Sequence, residues 1–198
     1  MPAVDRSANE RKRKIDSLAG KLLGLDGDKL VSLGGDIAFR LLGPEQVRLM
    51  VTGGAGSGKT TVASVIAERL NLPCFDFDEY IVGGWHQDGK EYRRRLVAAM
   101  SKLYDDLPYK TGWVVEHVEA CNQDMFKAFK PTHCLLLAPS AKQLMMVASA
   151  RASAGGDSSA AGLEQRALES SEYARMQFEK VSGEVMARGK NWVLKKTG

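Results

Sequence analysis

Two hydrophobic patterns alternate along the chain from position 47 onward. Short continuous apolar runs at 47–51, 74–77, 113–118, 134–137 and 192–194 have the length and composition of buried parallel strands. Between them, apolar residues recur every three or four positions. Val62, Val65, Ile66 and Leu70 share one face of a helix that starts at Thr60. Further helices are expected over 91–103, 141–151 and 163–186. Strands alternating with helices predict an α/β fold, with a parallel sheet of about five strands and helices on both faces.

The first part of the chain follows a different pattern. Ile15, Leu18, Leu22 and Leu23 fall at helical spacing and predict a helix over about 10–25. Asp26, Gly27 and Asp28 read as a turn. Residues 29–44 are ambiguous, because Gly34 and Gly35 interrupt their apolar stretches and Gly43-Pro44 ends them. The expected division is therefore an N-terminal extension over 1–45, partly helical with a basic start, and a second unit over 46–198. Within that unit, residues 152–162 are small and polar, with no means of building a core.

Composition narrows the class. The chain has 198 residues, 44% hydrophobic and 26% charged, ordinary values for a globular protein. No stretch has the roughly 18 apolar residues of a membrane helix, and the start lacks a signal-peptide pattern, so a cytoplasmic protein without membrane partners is expected. Cys74, Cys121 and Cys134 are too widely spaced for a zinc pattern and read as buried free thiols. The formal net charge of +4 suits a phosphorylated ligand. The run Arg11, Lys12, Arg13 and Lys14 fits either a solvated helix face or a nucleic-acid contact.

The residues that carry chemistry begin after the first strand. Gly53, Gly58, Lys59 and Thr60 fit the phosphate-loop pattern G-x-x-x-x-G-K-[ST] in its required setting between a strand and a helix. Glycines let successive backbone N–H groups approach phosphate oxygens, and the helix directs its positive end at the same anion. Gly54, Ala55, Gly56, Ser57, Gly58, Lys59, Thr60 and Thr61 are therefore the expected nucleotide-binding residues. Lys59 supplies a charge for the β- and γ-phosphates, and Thr60 a hydroxyl for Mg²⁺. ATP and Mg²⁺ are the implied cofactors. At the end of the second strand, Asp76 and Asp78 point to one side if the strand continues through them. One carboxylate could serve a hydrated metal and the other an attacking hydroxyl. The alternative is an acidic turn capping a helix.

The phosphate loop together with Asp76 and Asp78 resembles the small P-loop kinases, shikimate kinase in particular, over roughly 47–195. The resemblance implies a three-layer P-loop kinase fold, with Asp76 on the metal and Asp78 on the acceptor hydroxyl. It also implies that Arg93 or Arg94, in the run from Asp88 to Arg95, meets an anionic part of the acceptor; a solvated helix face is the other reading. Residues 151–162 lie where such kinases place a lid, and Arg151 at its entrance is the better candidate for the γ-phosphoryl charge, ahead of Arg166. One departure is clear: the family has a triple glycine where this chain reads from Trp113 to Ala120, which argues against a shikimate pocket. Glu116 there could act on Mg²⁺ or its water, or pair with an arginine. His117 reads as a packed histidine more readily than as a catalyst.

The leading expectation is an ATP-dependent kinase acting on a hydroxyl of a nucleoside, a nucleotide or a modified base in DNA. In organisation the chain is also similar to bacteriophage-type kinases that phosphorylate 5-hydroxymethyluracil in DNA, which would place it in a host cytoplasm and give the basic N-terminal segment a nucleic-acid partner. The first alternative is a small-metabolite kinase of the shikimate or gluconate type. The second is a non-kinase ATPase or switch that binds a protein. The sequence leaves the oligomeric state open.

Overall fold

A computed structural model describes residues 27–43, 46–81, 89–155, 160–181, 183–189 and 191–197. The expected helix over 10–25 and the basic run at 11–14 lie outside the described residues. Helix α1 spans Gly27–Leu41, β1 Arg48–Gly53, α2 Lys59–Leu70 and β2 Cys74–Asp76, with a 3-10 turn over Phe77–Tyr80. Helix α3 spans Gly89–Asp106, β3 Trp113–Glu116, α4 Gln123–Phe129 and β4 His133–Leu137. Helices α5 (Ala141–Gly155) and α6 (Ala160–Lys180) precede the strands β5 (Glu184–Arg188) and β6 (Trp192–Lys196).

The six strands form one sheet in the order β2-β3-β1-β4-β6-β5. β1 is central and pairs in parallel with β3 and β4, and β2 pairs in parallel with β3. β1, β3 and β4 bury both faces, which is why they read as continuous apolar runs, while β2 lies partly exposed at the edge. The last two differ from the expected parallel sheet. β5 and β6 form an antiparallel hairpin, and β6 also lies antiparallel against β4. The sheet therefore has six strands, with a mixed edge. β5 was expected to be the tail of a helix reaching 186, but α6 stops at Lys180. Glu184–Arg188 is mostly exposed and carries a bulge between Val185 and Ala187, so it has no buried face to mark it as a strand.

Two hydrophobic clusters cover the two faces. One contains Met50, Phe77, Leu103, Trp113, Val115, Phe129 and Phe178. The other joins Ile37, Leu49, Val51, Ile66, Leu135 and Leu194. Helix α1 belongs to the second. Leu30, Leu33, Ile37, Ala38 and Leu41 recur at helical spacing and pack with Val62, Ala63, Ile66 and Ala67 of α2. Full burial of Ile37 stabilises this docking by about 1.5–3 kcal/mol. Gly34 does not break the helix. A Cβ there would lie 2.8 Å from the Cβ of Val65, so the glycine is what lets α1 and α2 approach closely.

Smaller elements depart from expectation for local reasons. Asn122 accepts a hydrogen bond from the Met125 N–H at 2.8 Å and caps α4, which the sequence pattern did not signal. Residues 152–155 continue α5 and 160–162 open α6, so the described parts of the expected lid are helical; alanine favours helix even where it builds no core. Leu144, Ala148 and Ala167 hold α5 to α6. Cys121 and Cys134 are buried, but Cys74, on the edge strand β2, is exposed.

Candidate active site

The carboxyl ends of β1, β2, β3 and β4 meet on one edge of the sheet, and the conspicuous polar residues gather there. β1 ends at Gly53, where a Cβ would lie 2.7 Å from the carbonyl oxygen of Leu137 on β4. Gly56 and Gly58 have φ of 80° and 83°, the left-handed region that glycine tolerates. Gly58 precedes α2 without a side-chain cap, and the first turn of α2 carries no acidic residue. The amides and positive end of α2 thus face the loop with neither a side-chain cap nor an acidic residue in the helix's own first turn. Lys59 and Thr61 lie half-buried and Thr60 exposed in that first turn.

Helix α6 backs the loop. Ala55 donates its N–H to Ser170 Oγ at 2.9 Å. Gly54 is buried, and a Cβ there would lie 2.7 Å from the backbone of Ser171. Gly54 is therefore required by packing whatever the loop binds. Ser57 Oγ is buried with no hydrogen-bond partner among the described residues. On α5, Val147 and Arg151 stand over Gly56, with an Arg151 guanidinium nitrogen 3.9 Å from where a Gly56 Cβ would sit.

A cluster of carboxylates lies beside α2. Thr60 donates its hydroxyl to Glu116 Oε1 at 2.7 Å, and Asp76 pairs in register with Glu116 across β2 and β3. Glu116 is 3% exposed, and its second oxygen, Oε2, is buried with no hydrogen-bond partner among the described residues. Burial raises the Glu116 pKa above its ordinary 4.5; Lys59 and the Thr60 hydroxyl oppose the shift, while Asp76 and Asp78 add to it. Asp76 and Asp78 do not continue the strand. β2 stops at Asp76, whose Oδ1 accepts the N–H of Asp78 at 2.9 Å and caps the 3-10 turn. The acidic turn of the sequence reading is thus present, and both of its carboxylates act on Glu116.

Asp78 Oδ1 lies 3.1 Å from His117 Nε2. Nearby, a cleft of about 540 Å³ opens between α3, the β3–α4 segment and α6. Tyr92 and Arg93 line it from α3, Glu119 and Asn122 from below, and Tyr173 and Lys180 from α6. Tyr92 donates its hydroxyl to Glu119 Oε2 at 2.9 Å. Burial, then the charge and hydrogen bond of Glu119, push the Tyr92 phenol above its ordinary range, with smaller contributions from Tyr173 and Asp78.

The arginines separate. Arg93 lines the cleft. Arg94 points away on the same helix, 78% exposed and 2.5 Å from Glu91, which also takes Arg95 at 3.1 Å. Arg166 is exposed on α6. Asp88 lies outside the described residues. Sequence reasoning missed Ser170, Tyr92, Glu119 and Tyr173. No local pattern marks Ser170 or Tyr173, which reach the site only because α6 crosses the loop and the cleft.

The loop, the Asp76 and Asp78 segment and the start of α3 are contiguous in sequence, and this stretch decides the comparison with known proteins. Residues 55–95 match the family model of shikimate kinase. Curated shikimate kinases agree: that of Bacteroides fragilis is 31% identical over 67 residues, 33% of this chain and 37% of that protein. The Bacteroides thetaiotaomicron enzyme is 38% identical over 58 residues, 29% of this chain and 33% of that protein. The chain thus spans only about a third of the length of the shikimate kinases it matches. Among solved structures, that of a candidate kinase from Chloroflexus aurantiacus overlaps 62% of this chain and 75% of its own, at 23% identity and a TM-score of 0.41. The likeness to shikimate kinase supports a P-loop kinase of that superfamily over the matched segment. No helix among the described residues is long and apolar enough to cross a membrane.

Proposed function

We propose that this chain is an ATP-dependent kinase that moves the γ-phosphoryl group to a hydroxyl of a small polar acceptor held in the cleft. One observation carries the reading. The phosphate loop runs into the Thr60, Asp76 and Glu116 cluster, and His117 links the neighbouring Asp78 to the backbone of Glu119, which lines a cleft of ligand size. In this reading the loop amides and Lys59 hold the β- and γ-phosphates, and Arg151, placed over Gly56, takes the charge that builds on the moving phosphoryl group. Asp78 accepts the proton of the acceptor hydroxyl as its oxygen bonds to the γ-phosphorus. The bond from that phosphorus to the bridging oxygen breaks, and ADP leaves with the electron pair.

Mg²⁺ fits the residues present, because Glu116 Oε2 is a buried carboxylate oxygen with no partner beside a hydroxyl and a second carboxylate. Thr60, Asp76 and Glu116 would hold the ion and its waters, and the ion would neutralise and orient the phosphate oxygens.

The small acceptor replaces a base in DNA as the favoured substrate. The basic run that motivated the DNA reading lies outside the described residues, and the matched segment resembles enzymes that act on a small hydroxylated metabolite. Arg93 and Lys180 offer the acceptor positive charge, while Glu119 and Asp124 offer negative charge. That mixture favours an acceptor other than a simple acid such as shikimate, whose carboxylate Glu119 would repel. Labelled-ATP transfer across hydroxy acids, amino alcohols, sugars, nucleosides and DNA containing hydroxymethylated bases tests the reading. Transfer to a small acceptor, lost in Lys59→Ala, is expected. Transfer to DNA alone, or ATP hydrolysis with transfer to nothing, would overturn it.

A further inference from the structure

We infer that His117 is a positioning residue that holds the Asp78 carboxylate through a neutral imidazole with its proton on Nε2. The inference rests on the reading of Asp78 as the group that receives the acceptor's proton.

The tautomer follows from the partners. The backbone N–H of Glu119 points at His117 Nδ1 at 3.1 Å. A backbone N–H can only donate, so Nδ1 accepts and carries no proton. The proton of the neutral ring is then on Nε2, which donates to Asp78 Oδ1 at 3.1 Å. A doubly protonated ring would set two donors, Nδ1–H and the Glu119 N–H, against each other. The ring cannot swing away. His117 is 1% exposed, and Phe77 meets it edge-on with centroids 5.0 Å apart. Its backbone is fixed as well, donating to the Val51 carbonyl at 3.1 Å and accepting from the Ala120 N–H at 3.2 Å.

The two ends of the imidazole face different parts of the site. Asp78 is 43% exposed at its side chain, so solvent competes for its oxygens while His117 presents a fixed donor to one of them. The other ring nitrogen fixes the backbone of Glu119, whose carboxylate takes the Tyr92 hydroxyl inside the cleft. His117 thereby sets the spacing between the proton-accepting carboxylate and the acceptor-contacting carboxylate. Removing it leaves the phosphate loop untouched and takes from Asp78 Oδ1 its imidazole donor, so the loss falls on turnover.

The test uses the full chain. His117→Ala should lower kcat roughly ten- to a hundredfold, the range for loss of a group that orients a reacting one. The KM for ATP should change little, and added imidazole should restore part of the rate. In an Asp78→Ala background the same substitution should cost almost nothing further. Unchanged kcat, or equal losses in both backgrounds, would overturn the inference. Ring-nitrogen NMR on the unmodified protein near neutral pH needs neither variant nor acceptor. It should show a protonated Nε2 whose signal moves in Asp78→Ala. A proton on Nδ1, or a signal indifferent to Asp78, would overturn the inference even if transfer is confirmed. Failure of transfer on every acceptor would instead fall on the proposed function.

Discussion

Replacing Glu116 by glutamine should stabilise the free protein and weaken its hold on metal-bound nucleotide. The side chain is 3% exposed, one oxygen takes the Thr60 hydroxyl, and the other has no hydrogen-bond partner. A glutamine keeps the acceptor for Thr60 and removes a buried negative charge, while its amide group inherits the unpartnered position. An unsatisfied buried polar group costs about 1–3 kcal/mol and a charged one more; the amide keeps the first cost, so the relief at neutral pH is the difference, on the order of 1 kcal/mol. For a chain of this size that is roughly 2–4 °C in Tm per kcal/mol. The pH dependence gives the sign. The folded-state pKa is raised above 4.5 by burial, so the folded form binds the proton more tightly than the unfolded form. Stability from this group is full below the unfolded value and declines as pH rises through the folded one. The advantage of Glu116→Gln should therefore be smallest near pH 4.5 and grow as pH rises. Thermal melting in chelator across that range reads it. Melting with Mg²⁺ and ATP should reverse the order, because ligand stabilisation follows RT ln(1 + [L]/Kd) and the variant binds more weakly. A lower Tm in chelator, or a difference that does not change with pH, would refute the account of Glu116 as a strained buried carboxylate.

Two further substitutions read other parts of the structure. Arg93→Ala should raise the acceptor KM by about tenfold or more with ATP binding intact, while Arg94→Ala, exposed on the same helix and outside the cleft lining, should change neither; steady-state kinetics separates them. Ile37→Ala should destabilise the protein by about 2–5 kcal/mol in denaturant unfolding, because it opens a cavity between α1 and α2, and a loss near zero would mean that α1 is not docked.

The parts of the site that the sequence made legible are those whose chemistry is local. The loop from Gly53 to Thr60 can be read because its glycines, lysine and threonine fall within eight consecutive residues. Asp76 and Asp78 were legible as a pair, but their geometry was not. Whether a chain continues straight or turns after a strand depends on the cap that Asp76 forms with the Asp78 N–H. Glu116 could be read as an acid at a strand end, yet its partner, Thr60, is 56 residues away and only the pairing of β1 with β3 brings them together. Gly34 looked like a helix breaker because sequence shows a missing side chain without showing the Val65 side chain that needs the space. The apolar run of β6 was visible but its direction was not. Direction depends on whether a helix or a hairpin precedes it, and β5 lacks the buried face that would have revealed the hairpin.

Helix α6 has a thermodynamic consequence. Its backbone closes on Gly54 and its Ser170 holds the Ala55 amide, while Tyr173 and Lys180, one and two turns or more along the same rod, form a wall of the acceptor cleft. A rigid element shared by two binding sites makes their occupancies interdependent. If nucleotide binds the loop and an acceptor the cleft, as proposed, a shift of the loop would be carried by α6 into the cleft, and the two ligands would exchange coupling free energy. By reciprocity, whatever factor ATP applies to acceptor affinity, acceptor applies to ATP affinity.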